Sequence, residues 1–142
     1  MTNKLIVTEE IEINASKDKV WEVLINPGFI KQWDDIPENY PGGHLQLGSV
    51  IEWEGYSKMT VTELDKFNKL KMSLFLPKVD LAPSLYDVNY VFCLTEEKGN
   101  TILNIEIGDF ATLPKANDYY EASLEWGQTA KQKIKDLAEN LP

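Results

Sequence analysis

At 142 residues and 43% hydrophobic content, with no linker or low-complexity tract, the chain suits one domain spanning 1–142 with a sizeable core. Its formal net charge is −9, 23 acidic residues face 14 basic ones that are all lysine, and the chain carries no arginine, which argues against nucleic acid and bidentate phosphate recognition. The lone Cys93 excludes an internal disulfide framework, no apolar run reaches a membrane span, and the acidic start MTNKLIVTEEIEI does not read as a signal peptide; a soluble cytoplasmic protein without membrane insertion is expected.

Leu5, Val7, Glu9, Ile11 and Ile13 alternate with Ile6, Thr8, Glu10 and Glu12, the period of a strand with one buried face on which Glu9 is the exception. Ser16 then suits an N-cap, and Val20, Trp21, Val23 and Leu24 form a short amphipathic helix that Asn26-Pro27 should end. Pro27 can open a second short helix, Gly28 to Trp33. Asp34 to Gly48, with Pro37, Pro41, Gly42 and Gly43, reads as a loop holding at most one irregular strand around His44 to Leu47.

Strands are expected at Ser49–Glu54, Lys58–Leu64, Lys69–Leu76, Tyr86–Thr95 and Thr101–Phe110, separated by turns at Gly55–Ser57, Asp65–Asn68 and Glu97–Asn100, with Pro77–Ser84 a long connection. Leu70, Met72, Leu74 and Leu76, then Tyr86, Val88, Tyr90, Phe92 and Leu94, then Leu103, Ile105 and Ile107 should share one apolar face. A long helix ends the chain, starting near Lys115 or one turn later at Asn117-Asp118, with Tyr119, Tyr120, Ser123, Trp126, Gly127, Ala130, Ile134 and Ala138 along its apolar stripe. The order is strand, two short helices, five or six strands and a long helix, an α+β plan in which the last helix packs across an antiparallel sheet.

The stretch IEINASKDKVWEVLINPGFIKQW, the strands from Gly48 to Asp65 with Trp53 and Val61, and Trp126 in the terminal helix together resemble the START-like SRPBCC superfamily, and within it the branch grouped with the heat-shock-protein-90 ATPase activators. The resemblance runs from about Leu5 to Leu137. It implies a helix-grip fold, in which a curved antiparallel sheet of about seven strands wraps the C-terminal helix around a cavity. Members bind lipids, sterols, polyketides or other hydrophobic compounds; some are cyclases or dehydratases and some activate a chaperone. The larger activators carry a further N-terminal domain, which is not expected within these 142 residues.

Trp33, Trp53, Met59, Met72, Tyr90, Tyr119, Tyr120 and Trp126 offer an aromatic and thioether surface that either lines a pocket or packs as core. Leu74, Ile105, Ser123 and Asp109 complete the expected ligand-binding set. Glu9 and Asp109 fall in register with apolar strand faces, so each is either an acid aimed into a cavity or a strand-end residue with a local partner or water. His44 is the only histidine, no metal-ligand spacing exists, Gly42-Gly43 lacks the features of a phosphate loop, and Cys93 should pack away from the cavity. No cofactor, metal or catalytic residue is assigned. The leading expectation is a monomer or weak homodimer that binds a small hydrophobic molecule, ahead of a cyclase- or dehydratase-type enzyme and a co-chaperone.

Overall fold

The two patterns at the ends of the chain, alternation in the first strand and three-four spacing in the last helix, meet face to face. The structure, a computed structural model, describes residues 4–40 and 42–142, with Pro83 given by its backbone alone. Strand β1 (Val7–Ile13) is followed by helices α1 (Lys17–Ile25) and α2 (Pro27–Trp33). Pro27 opens α2, where its missing N–H is not needed, and the Asn26 side chain accepts from the Gly28 N–H at 2.9 Å, so one dipeptide both ends α1 and starts α2. Strands β2 (Val50–Trp53), β3 (Ser57–Asp65), β4 (Lys69–Phe75), β5 (Asn89–Glu97) and β6 (Asn100–Gly108) follow, then helix α3 (Ala116–Glu139). The sheet is antiparallel throughout in the order β1-β6-β5-β4-β3-β2, the α+β helix-grip plan expected from the sequence.

Six strands are present among the described residues, against the expected seven or so. The segment around His44 to Leu47 joins no ladder: the Leu45 N–H donates to the Ile25 carbonyl at 2.8 Å and the Leu45 side chain is buried, so this loop is tied to the end of α1. Pro41, counted in that loop, lies outside the described residues. Strand β5 starts three residues after the expected Tyr86, because the Tyr86 hydroxyl instead accepts from the Leu76 N–H at 2.9 Å and anchors the long connection. Helix α3 takes the earlier of its two possible starts, with Lys115 in a left-handed conformation at the cap.

Register arranges the inner face in rows. Val61, Met72, Tyr90, Ile107 and Val7 are cross-strand neighbours in one row, and Leu70, Phe92, Ile105 and Glu9 in the next. Helix α3 lies chiefly along β1, with α1 and α2 against its flank and β6 beside it. Gly127 permits this approach, since a Cβ there would stand 3.2 Å from Cγ of Glu9 and 3.8 Å from Val7. Glu9, 9% exposed, is covered by the helix and accepts from Lys131 Nζ at 2.6 Å. A β1 acid on the apolar face is therefore neutralised by the helix that covers it. Because α3 sits over the β1–β6 side, no helix among the described residues packs closely upon the β2–β4 side of the concave face.

Removing one partner of this pair should be costly. Lys131→Met is expected to lower stability to urea by about 2–4 kcal/mol by leaving Glu9 covered and unpaired, and adding Glu9→Leu should restore most of the loss. Gly127→Val should cost about 1–3 kcal/mol in the same assay by pushing α3 off β1.

Candidate functional site

The uncovered half of the concave face forms a cavity of about 440 Å³ lined by Trp53 of β2, Ser57 and Met59 of β3, Leu74 of β4, Tyr90 of β5, Trp126 of α3, Tyr56 of the β2–β3 turn, and Asp34 and Asp35 just past α2. Strand pairing sets the floor, since Met59 is opposite Leu74 and Trp53 opposite Ser57. Trp126 precedes Gly127 on the helix, so the contact that seats α3 on β1 also fixes where its indole points. That indole packs edge-on to Tyr90 with ring centres 5.4 Å apart, and tilts against Trp33 at 6.2 Å.

The polar groups converge on the same wall. Trp126 Nε1 donates to Asp34 Oδ1 at 3.2 Å, and the Asp34 N–H closes α2 on the Ile30 carbonyl at 2.7 Å. Burial pushes the Asp34 carboxyl above its ordinary value and the Asp35 charge adds to this, while the Asp35 N–H, the Trp126 indole and the Lys133 charge act the other way. Burial also pushes the Tyr90 phenol up to about 12, with the Asp34 charge adding and the hydrogen-bonding side chain of Ser123 subtracting. The result is an aromatic hollow with a partly buried carboxylate and a neutral phenol on one side.

Of the residues expected from sequence, Trp53, Met59, Leu74, Tyr90 and Trp126 line this cavity, and Ser123, one helical turn before Gly127, is buried beside the Tyr90 hydroxyl. Trp33 lies behind the wall, its Nε1 donating to the Val23 carbonyl at 2.8 Å and its ring against Phe92 at 5.9 Å. Met72 and Ile105 are core residues of the two inner rows. Tyr119 stacks on Phe110 at 6.2 Å and Tyr120 packs against the core, neither of them on the cavity lining. Asp109 is used as a local brace, its Oδ1 accepting from the Leu5 and Ala111 N–H groups, both at 2.9 Å. The acids on the cavity are instead Asp34 and Asp35, which the sequence places at the start of a loop with nothing to mark them except the Trp33 before them.

Elsewhere, Trp21, Phe29 and Phe67 border a separate hollow of about 590 Å³ between α1, α2, the β3–β4 turn and Leu141, at whose rim His44 Nε2 meets Glu22 at 2.7 Å. Cys93 is half-buried, and burial pushes its thiol up, away from nucleophilic use. Among the described residues, no group of three or more His, Cys, Asp or Glu side chains comes together as a metal site, and no helix is long and apolar enough to cross a membrane.

The sequence profile of the family described as Activator of Hsp90 ATPase homolog 1-like protein matches residues 14–139. Among solved structures, the Aha1 dimer of Colwellia psychrerythraea is 18% identical with a TM-score of 0.73, over 95% of this chain and 96% of that one. Protein ChR145 of Cytophaga hutchinsonii is 27% identical with a TM-score of 0.71, over 99% and 97% of the two chains. CalU16 of Micromonospora echinospora is 19% identical with a TM-score of 0.60, over 98% and 89%. No curated protein matches the chain.

Two titrations follow from the buried wall. In an ultraviolet pH titration, one of the six tyrosines should ionise near pH 12, about two units above the ordinary phenol value, and Tyr90→Phe should remove that late step. For Asp34 the folded value lies above the ordinary 3.8, so its stabilising contribution is complete below that value and is lost as pH rises through the raised one. Asp34→Asn keeps an oxygen for the Trp126 indole and cannot ionise; its melting temperature should exceed the parent's at neutral pH and converge on it in acid.

Proposed function

We propose that this chain, which belongs to the family of Activator of Hsp90 ATPase homolog 1-like proteins within the START-like SRPBCC superfamily, binds a small hydrophobic molecule between the β2–β5 sheet and the first half of α3. The observation that carries this reading is the cavity of about 440 Å³ bounded by Trp53, Met59, Leu74, Tyr90 and Trp126. Ligand pockets run to about 300–1,000 Å³ and combine an apolar lining with a few placed polar groups, the combination that Asp34, Ser57 and Tyr90 supply here. The fold by itself would not choose a ligand, and the likeness to the Colwellia and Micromonospora proteins extends to fold alone.

Glu9 and Asp109, the carboxylates in register with the apolar strand faces, are both engaged elsewhere, Glu9 with Lys131 and Asp109 with the backbone at Leu5 and Ala111, so Asp34, Asp35, Ser57 and Tyr90 are the polar groups left to orient a ligand. Apolar contact area is what remains on the cavity wall in quantity, and burying it against a ligand stabilises the folded state in proportion to occupancy.

A fluorescence titration with the neutral probe N-phenyl-1-naphthylamine tests the reading. Saturable one-to-one binding is expected, weakened about tenfold or more by Leu74→Trp, which fills the cavity floor while leaving the circular dichroism spectrum intact. Absence of saturable binding, or equal binding by the filled variant, would contradict it.

A further inference from the structure

The cavity wall has a composition that says more about its occupant than apolarity does. Four of its nine lining residues are aromatic, Trp53, Tyr56, Tyr90 and Trp126, two are acids, Asp34 and Asp35, and none is a lysine. The Asp34 carboxylate is partly buried and has no ammonium partner among the described residues: it rests on the Trp126 indole N–H and the Asp35 backbone N–H, with Lys133 of α3 acting on it only at a distance. One lining ring already holds a cation of the chain: Lys78 Nζ stands 4.8 Å from the centre of the Tyr56 ring. Aromatic faces attract cations through their quadrupole, and a carboxylate at their edge adds a full charge in a setting where water screens it poorly.

Resting on the binding reading above, the geometry points to an organic cation as the occupant: an amine or quaternary ammonium carrying an apolar or aromatic body, its charged nitrogen beside Asp34 and Asp35 and its body on Met59, Leu74 and the indole rings. A ligand anion would meet two carboxylates and no basic side chain on the lining, and a neutral body would leave the partly buried Asp34 uncompensated. An ammonium supplies the missing countercharge to Asp34, and the aromatic wall accepts its methyl or methylene groups without requiring hydrogen bonds. The net charge of −9 acts in the same direction on approach, by drawing cations to the surface.

The test is isothermal titration of the full chain with benzyltrimethylammonium and with its uncharged isostere 2,2-dimethylpropylbenzene, each repeated on Asp34→Asn and Asp35→Asn. Nuclear magnetic resonance of the indole N–H groups of Trp53 and Trp126 reports the site. The cation should bind about tenfold tighter than the isostere and shift both indole signals. Asp34→Asn should weaken the cation about fivefold or more and leave the isostere unchanged, and acidification of the parent should weaken the cation likewise as Asp34 gains its proton. If Asp34→Asn fails to fold, Asp35→Asn and the acid titration decide, each expected to act on the cation alone. Isostere binding as tight as cation binding would overturn the charge assignment while leaving the hydrophobic-ligand reading in place. Cation binding indifferent to both substitutions and to acid would overturn it too, and binding of neither probe would remove both readings.

Discussion

The seat of α3 on β1 is the contact on which the site depends. Gly127 lets the helix approach Glu9 and Val7 to van der Waals distance, and Lys131, one turn further on, neutralises the carboxylate it has just covered. A helix held there lies over the β1–β6 side and leaves the other half of the concave face open. An equally apolar helix free to slide toward the sheet centre would fill the space with its own side chains, because burying apolar surface is favourable wherever it can be achieved. The Glu9–Lys131 pair adds little net stability of its own, since desolvating two charges offsets most of their attraction, whereas losing either partner would strand the other under the helix.

The same helix position carries the chemistry of the wall. Trp126 and Ser123 occupy successive turns facing Tyr90, and the Trp126 indole reaches Asp34 at the end of α2. The chain breaks at Asn26-Pro27 into two short helices, and Asp34 is the residue that ends the second of them. One indole thus bridges the helix, the sheet and the loop that follows α2. The carboxylate at that junction is partly shielded from water by the aromatic rings around it, which raises its pKa.

What the sequence disclosed and what it hid divide along one physical line. Alternation in β1, β4, β5 and β6 and the three-four spacing of α3 are local patterns set by which face each residue presents, so the strands, the helices and their apolar faces were legible. The contacts that make the site join residues far apart: Trp126 and Asp34 are 92 positions apart, Glu9 and Lys131 122. No local pattern marks Asp34 as facing inward, and Tyr56 read simply as part of a turn. Tyr119 and Tyr120 show the converse, for their place on the apolar stripe was plain, but only the position of the helix decides that they sit away from the cavity lining while Trp126 faces it. The Leu45 segment similarly looked like an irregular strand because nothing local reveals its tie to Ile25.

A crystal structure of the purified protein, read for the space between Trp126 and the sheet, would test most directly whether the concave face is built to hold a guest. It should show an opening of about 440 Å³ bounded by Trp53, Leu74, Tyr90 and Trp126, with Asp34 on the indole nitrogen and either solvent or bound density inside. An interior closed by those same side chains packed against one another, with Asp34 turned out to water, would contradict it.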